Sequence, residues 1–499
     1  MEIAILHSRA QRGIDAPLVR VEAHLANGLP AFNIVGLPET AVRESKDRVR
    51  SALINSYFEF PDRRITINLA PADLPKFGGR FDLPIALGIL TASGQLPAHR
   101  LDAHEFVGEL ALDGSLQPIK GTVPVAIACT RNNRTLVVPD ANGALAAAVP
   151  GSAVVAAPNL LTLCAHLNGN APLPQVVQSG PPATPEYPDF NEVVGQDFAR
   201  RAMEITAAGG HNLLLSGPPG TGKTLLASRL PGILPPLARE EAVTVLALRS
   251  LLDSESSSTS SQRPFRAPHH SASMAALIGG GRIPQPGEIS LAHCGVLFLD
   301  ELPEFPRHTL DALRQPLEEG SDSLSRAQLT ARYPARVQLV AAMNPCPCGF
   351  DGDPQRHCRC TPTAVQRYTQ RLSGPLLDRF DLHVVVPRIP AEKLLAGGRG
   401  GECSAVMRER VIACRRIQQS RQGVANGALA SEQALAHANL TSHNRAYLAA
   451  ATERLILSGR GTYRVLKTAL TIADLSCAQR VDRCHLDEAL AFRLPAWEQ

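Results

Sequence analysis

Gly217-Pro218-Pro219-Gly220-Thr221-Gly222-Lys223-Thr224 is the stretch that decides the fold. Ahead of it, Asn212-Leu213-Leu214-Leu215-Ser216 is a short apolar run that predicts a buried strand. Behind it, Leu225-Leu226-Ala227-Ser228-Arg229-Leu230 predicts a helix. Strand, glycine-rich loop and helix, with G-x-x-x-x-G-K-T between them, form a phosphate-binding loop in the context it requires. Glycines let backbone N–H groups close on phosphate oxygens, and the helix N-terminus adds partial positive charge. Lys223 supplies a point charge for the β- and γ-phosphates of ATP, and the Thr224 hydroxyl is a ligand for Mg²⁺. A chance glycine turn is the plain alternative, and it leaves the flanking elements without a reason.

The chain has 499 residues, more than one ordinary core, so two or three domains are expected. Met1-Glu2-Ile3-Ala4 has neither a basic n-region nor an apolar h-region, and no apolar run is long enough to span a bilayer. The expectation is a soluble cytoplasmic protein with no membrane partner. Eleven cysteines in such a protein point to thiols or metal ligands, not to a disulfide framework. Net charge is only +4, but 44 of the 50 basic residues are Arg. Arginine binds phosphate bidentately, so the composition permits a polyanionic partner.

Working outward from the loop, Gly295-Val296-Leu297-Phe298-Leu299-Asp300-Glu301 is an apolar run ending in two acids. It predicts a buried parallel strand whose C-terminal end carries the chemistry. Asp300 is placed to hold Mg²⁺ and Glu301 to polarise the attacking water. Val337-Gln338-Leu339-Val340-Ala341-Ala342-Met343-Asn344 predicts another core strand, ending in an amide. Leu376-Leu377-Asp378-Arg379-Phe380-Asp381 follows, and Thr462 to Leu475 carries apolar residues at helical spacing.

These segments resemble AAA+ ATPases. In that likeness, Asp189-Phe190-Asn191-Glu192-Val193-Val194-Gly195-Gln196 is the entry segment, with Val194 and Gly195 lining the adenine pocket. Asn344 is sensor 1, positioning water against the γ-phosphate. Arg379 is the arginine finger, supplied in trans, with Arg371 as the competing choice; a finger implies a ring. Arg464 is sensor 2, with Lys467 one turn on as the alternative.

Cys346-x-Cys348 and Cys358-x-Cys360, beside His357, give C-x-C-x9-C-x-C. Four thiolates can close a structural Zn²⁺ site, although the inner spacing is tighter than usual; four reduced cysteines in a loop are the alternative. Ser254 to Ser261 is Ser-rich and predicts a mobile segment. Arg263-Pro264-Phe265-Arg266-Ala267-Pro268-His269-His270-Ser271 follows, with Gly279-Gly280-Gly281-Arg282 beyond it and a hairpin carrying Arg326 and Arg332. Arg, Phe and His on such loops suit a nucleic-acid strand, through phosphate pairing and base stacking at Arg263, Arg266, His269, His270, Arg326 and Arg332. Packing against a neighbouring subunit is the competing account.

Residues 1–168 mix alternating stretches such as Ile65-Thr66-Ile67-Asn68-Leu69 with helical ones at 38–50 and 82–90. Gly108-Glu109-Leu110-Ala111-Leu112-Asp113-Gly114-Ser115-Leu116-Gln117-Pro118-Ile119 resembles the Lon protease stretch that leads to its catalytic lysine. Yet no serine lies between Ser56 and Ser93, and Lys120 falls three residues before the aligned position, Val123. The expectation is a Lon-type scaffold without a Ser–Lys dyad, with Lys76 and Lys120 as solvated surface charges. Residues 169–187 are Pro-rich and predict a semi-rigid linker. The ATPase core is expected at 188–388 and a helical lid domain at 389–499.

Phe265 to Ser273, Pro286-Gly287-Glu288-Ile289-Ser290-Leu291-Ala292-His293 and Met343-Asn344-Pro345-Cys346-Pro347-Cys348-Gly349 resemble the ComM/YifB family of magnesium-chelatase-like AAA+ proteins. The likeness covers essentially the whole chain. Its one departure is Gly79, where the family pattern suggests serine. It implies an α/β protein: a P-loop AAA+ module, an N-terminal Lon-protease-like (S5-type α/β) domain and a C-terminal helical lid. It further implies a homohexameric ring motor that moves single-stranded or branched DNA beside recombination proteins, as a branch-migration helicase in natural transformation. A chelatase-type ATPase that remodels a protein partner is the alternative, and an ATP-dependent protease a distant third.

Overall fold

Alternation of apolar and polar residues along the first strands is what the N-terminal sheet turns into a buried face. The structure is a computed structural model that describes residues 3–177, 187–252, 262–326, 329–395 and 401–493, with backbone only at 326, 329 and 394. Strands β1 (Ile3–Arg9), β2 (Leu18–Ala26), β3 (Ala31–Val35) and β4 (Arg64–Ala70) lie in the order β1-β2-β4-β3. Val19, Val21, Ala23 and Leu25 of β2 are buried, at every second position. The helix Asp82–Ala92 covers them and is buried on all sides. A Cβ on its Gly88 would come within 3.0 Å of the Ala23 Cβ, so only glycine lets helix and sheet approach this closely.

Strand β5 (His104–Phe106) opens a second sheet, and β6 (Glu109–Leu110) pairs with β7 (Leu116–Gln117) in a small hairpin beyond it. β8 (Thr135–Pro139) and β9 (Ala153–Ala157) complete the parallel order β5-β8-β9. Arg9 at the end of β1 ties the two sheets together. Its Nε and Nη2 donate to the Glu105 carboxylate at 2.6 and 2.7 Å, and both groups are buried. Arg134 adds a donor at 3.3 Å. Burial alone would raise Glu105, but the Arg9 and Arg134 guanidiniums hold it below the usual carboxylate range.

Two expectations for this half change. Lys76 is not a surface charge: it is fully buried, and its ammonium donates to the carbonyls of Gly36, at 2.8 Å, and Pro71. Lys120 is exposed as expected. Nor does the whole Pro-rich segment hang between domains. Gln175 bridges to Val155, and the Val176 N–H donates to the Val154 carbonyl at 2.9 Å, so the chain zips onto the free edge of β9. The Ser-rich segment 254–261 and residues 178–186 of the linker lie outside the described residues.

Strand β10 (Leu213–Ser216) is the centre of the second half. It lies in a five-stranded sheet with β11 (Phe265–Arg266), β14 (Val296–Leu299), β17 (Gln338–Met343) and β18 (Leu382–Val385), in the order β11-β14-β17-β10-β18, and its pairings are parallel. Leu213 and Leu215 join the apolar cluster on one face and Leu214 the cluster on the other. That explains why this strand reads as a continuous apolar run. Two hairpins are inserted: β12 (Gly279–Gly280) with β13 (Gln285–Pro286), and β15 (Ser321–Arg326) with β16 (Leu329–Pro334). The second hairpin packs Leu324, Ala331 and Tyr333 with Ile14 of the N-terminal half and Leu248 and Leu251.

The C-terminal segment consists of helices, including Ser404–Gln422, Ser431–Ala438, Ser442–Arg454, Gly459–Leu475 and Arg483–Ala491. These helices do not enclose a core of their own. Met407, Val411, Val465, Leu466 and Leu486 belong to the same apolar cluster as Leu213, Leu215 and the helix Asp197–Gly209.

Replacing Arg9 with Met leaves Glu105 buried with Arg134, at 3.3 Å, as its weaker cationic partner. We expect a loss of about 3–5 kcal/mol, as for breaking any buried ion pair. Because the folded-state value of Glu105 is depressed, its contribution is present at neutral pH and is lost only as pH falls through that lowered value. Urea unfolding followed at pH 7 and pH 4 checks this; a variant as stable as the parent at both pH values contradicts it.

Candidate active site

Parallel pairing places the ends of three strands side by side. Leu213 of β10 is in register with Val340 of β17, and Leu299 of β14 with Ala341. The phosphate loop leaves the end of β10, Asp300 and Glu301 leave β14, and Asn344 leaves β17, all at one edge of the sheet. Gly220 and Gly222 have φ of +77° and +88°, the left-handed region that glycine adopts without strain. The helix Lys223–Ile233 starts immediately afterwards.

Lys223 is buried and points back into the loop. Its Nζ donates to the carbonyls of Gly217 and Pro218 at 2.7 and 2.9 Å and to Asn344 Oδ1 at 3.1 Å. Burial lowers the ammonium to about 8, against the pull of Asp300 and Glu301. The Thr224 hydroxyl donates to Asp300 Oδ2 at 2.7 Å. Two oxygens at that spacing suit one edge of an octahedron with metal–oxygen bonds of about 2.1 Å, so the pair fits Mg²⁺. Val194 and Gly195 lie next to the loop. Gln196 Nε2 reaches the Thr221 carbonyl at 3.4 Å and that of Pro387 at 2.7 Å, and Ile389 packs beside Gly195. Gln196 and Ile389 were not legible as site residues, because their partners are distant in sequence.

Glu301 has φ of +51°, a strained conformation for a non-glycine residue. Its carboxylate lies 3.1 Å from His270 Nδ1, and the His270 ring lies tilted against that of His269, with centroids 4.1 Å apart. His270, expected among the nucleic-acid contacts, touches the Glu301 carboxylate. His269 stays exposed, bonded to the Ser271 hydroxyl at 2.8 Å. Arg266 forms a bidentate pair with Glu288 at 2.5 and 2.6 Å. Arg332 is exposed and donates to the Ser321 hydroxyl. The backbone of Arg326 lies at the end of β15, and its side chain is outside the described part.

Arg263 is the clear correction. Its guanidinium is spent on main-chain carbonyls, at 2.5 Å to Pro235 and 3.3 Å to Pro236, with a further bond to Cys294. Its side chain is 14% exposed. It anchors the base of the loop and is removed from the nucleic-acid-facing set.

Arg379 and Arg464 lie at the other end of the sheet. Arg464 Nη1 donates to Asp381 Oδ1 at 2.6 Å and to the Arg379 carbonyl at 3.1 Å. Asp381 also accepts from the Asn212 N–H, just ahead of β10. Burial would raise Asp381, but His211, Arg464 and that N–H hold it well below the usual carboxylate range. The four residues of β10, at about 3.3 Å each, put about 13 Å between this cluster and the phosphate loop of the same chain. Arg379 pairs with Glu318, its Nε has no partner among the described residues, and burial and the nearby charges of Arg464, Arg460 and Arg314 lower its affinity for its proton. Arg371, the competing choice, pairs at 2.9 Å with Glu304, three residues beyond Glu301. Lys467 is half-buried and donates to the Gly427 carbonyl at 3.2 Å.

Cys346, Cys348, Cys358 and Cys360 bring their sulfurs within 4.8 Å of one another. A tetrahedral site with Zn–S bonds of about 2.3 Å needs sulfurs about 3.8 Å apart, so the donor set fits. The knuckle rests on the phosphate loop: a Cβ on Gly349 would come 2.7 Å from Pro219 Cδ.

Gly79 also has a structural reason. A Cβ there would meet the Glu109 carboxylate at 2.4 Å, so a serine could enter only if Glu109 moved.

The family model for magnesium chelatase subunit ChlI matches residues 189–394; models for ChlI and for its C-terminal part match residues 21–142 and 401–493. The YifB protein of Salmonella typhimurium is 50% identical over 99% of this chain and 97% of its own length. The competence protein ComM of Haemophilus influenzae is 50% identical over 99% and 98%. The magnesium-chelatase 38 kDa subunit of Cereibacter sphaeroides is 29% identical over 31% of this chain and 52% of its own length.

Polyphosphate binds the charged lysine, and Lys223 loses its proton as pH rises through about 8. Affinity for a non-hydrolysable ATP analogue is therefore expected to hold steady below about pH 8 and to weaken towards tenfold per unit above it. Lys223→Ala should bind weakly with a flat profile. Fluorescent-nucleotide titrations from pH 6.5 to 9.5 check this, and a flat parent profile contradicts it.

Proposed function

Given that this chain belongs to the ComM/YifB family of magnesium-chelatase-like proteins, we propose that it is an ATP-hydrolysing AAA+ ring motor that acts on DNA. More specifically, it is a branch-migration helicase that promotes integration of single-stranded DNA in transformation and homologous recombination. The observation that carries this reading is the contact between His270 and Glu301. It joins a loop with exposed Arg and His side chains directly to the carboxylate that would polarise water. A strand that pulls on the loop through His269 or Arg266 moves His270 and releases Glu301 for work.

The roles follow from position. The loop N–H groups and Lys223 bind the β- and γ-phosphates, and Thr224 and Asp300 hold Mg²⁺, which draws charge off the phosphate oxygens. Glu301 and Asn344 orient the water. Val194 and Gly195, with Ile389, flank the base. Arg379 and Arg464 lie too far from their own phosphate loop to serve it, and their crowded positive charges favour an anion. They serve a neighbour's nucleotide, which makes the active unit a closed homohexameric ring. The N-terminal domain is a Lon-type scaffold that has lost the dyad, with Gly79 in the place of serine and Lys76 committed to backbone carbonyls. The four cysteines hold structural Zn²⁺, and through Gly349 they brace Pro219 of the phosphate loop.

ATP turnover measured with and without single-stranded and forked DNA tests the motor, with Glu301→Gln as the blank. We expect strong stimulation by DNA that falls in Arg266→Ala/Arg332→Ala, and DNA-free turnover that rises in His270→Ala. Turnover indifferent to DNA, with no mobility shift at low salt, favours an ATPase that remodels a protein partner. Elemental analysis of protein purified without chelator should find one zinc per chain, lost in Cys348→Ser/Cys358→Ser. Metal-free parent protein with full nucleotide affinity rejects the zinc brace.

A further inference from the structure

A cavity of about 380 Å³ lies where the N-terminal domain meets the inserted hairpins of the ATPase core. That is the size of a small-molecule site, and interfaces between domains are where such sites occur. One wall comes from the N-terminal domain, with Phe77, Arg80 and Glu109; the other comes from the hairpins, with Ile283, Pro284 and Tyr333. The apolar walls are held in place. Tyr333 is buried and its hydroxyl donates to the Pro284 carbonyl at 2.7 Å, which fixes one hairpin against the other.

Arg80 gives the cavity its chemistry. It is only 7% exposed, and its Nη2 is satisfied by Gln11 Oε1 at 2.6 Å and the Lys120 carbonyl at 2.9 Å. Its Nη1 is buried and has no hydrogen-bond partner among the described residues. Burying a guanidinium N–H without an acceptor is costly, and native proteins rarely do it without purpose. Arg12 and Lys120 also line the cavity, so its lining holds three cationic residues against one carboxylate, that of Glu109. Burial pushes Glu109 up from the usual carboxylate range, with the charge of Asp82 adding to it.

We propose that this cavity binds a small organic anion, a carboxylate or phosphate monoester on an apolar body, with its oxygens on Arg80 Nη1 and its body against Phe77 and Tyr333. Such a ligand would bridge the N-terminal domain to both hairpins and clamp them together. The proposal is independent of the motor reading, because none of these residues belongs to the nucleotide site.

Fluorine NMR titrations of the full chain, with ADP and Mg²⁺ filling the phosphate loop, test it. The probes are 4-fluorobenzoate, 4-fluorophenyl phosphate and the neutral 4-fluorobenzamide; the first two separate a carboxylate from a phosphate source. We expect at least one anion to bind about tenfold more tightly than the amide, as charge-assisted pairing to a buried guanidinium implies. Arg80→Gln should erase that preference. Ile283→Trp, which fills the cavity from the hairpin side and leaves Arg80 untouched, should abolish binding, and it carries the test if Arg80→Gln fails to fold. Equal binding of anion and amide, no binding of any probe, or anion binding undiminished in Ile283→Trp overturns the proposal.

Discussion

A buried ammonium whose direct hydrogen bonds all go to dipoles, that of Lys223, sets the terms for the rest of the molecule. Two loop carbonyls and the Asn344 amide oxygen receive its protons, and no carboxylate lies in direct contact with it. Placing a charge there is costly unless its surroundings are rigid and fully oriented. The parallel pairing of β10 with β17 supplies that rigidity, because it holds Asn344 beside the loop that leaves β10. The cysteine knuckle, resting on Pro219 through Gly349, stiffens the same loop from outside. An anion of high charge density suits this arrangement, as the phosphates of ATP would.

The same strands create the opposite problem at their other end. There Arg379 and Arg464 lie with Arg460 and Arg314 close by, and Glu318 and Asp381 neutralise only part of the charge. One edge of the sheet is prepared for phosphate and the other is rich in phosphate-binding side chains, with β10 between them. In the proposed assembly these two edges would meet across a subunit boundary. A head-to-tail contact of that kind closes into a ring when its rotation permits. In the proposed ring the inserted loop would connect substrate to chemistry, because His270 is at once a loop residue and the neighbour of Glu301.

What was legible in the sequence is what depends on neighbours along the chain. The phosphate loop, the apolar run of β14 ending in Asp300 and Glu301, and the α/β character of the core all follow from contiguous residues with a definite period. The parallel sheet has the strands that those runs implied. What escaped depends on partners far away in sequence. Lys76 reads as a surface charge until Gly36 and Pro71 turn their carbonyls towards it. Arg263 looks like its loop neighbours, and only the folded chain reveals that Pro235, Pro236 and Cys294 claim its guanidinium. The linker's Pro-rich composition gave no hint that Gln175 and Val176 would zip onto β9, since edge pairing needs few donors. The C-terminal helices lack a separate core because their apolar faces are completed by the helix Asp197–Gly209, some two hundred residues earlier.

The central claim is that each nucleotide site is completed by the neighbouring subunit. Mixing two inactive variants, Glu301→Gln and Arg379→Ala, tests it most directly. In a random mixed ring, about a quarter of the interfaces pair an intact Glu301 with an intact Arg379 from the next subunit. The account predicts that equimolar mixing restores ATP turnover to about that fraction of the wild-type rate. Mixtures that remain as inactive as their components, or an Arg379→Ala protein that is fully active alone, would contradict it.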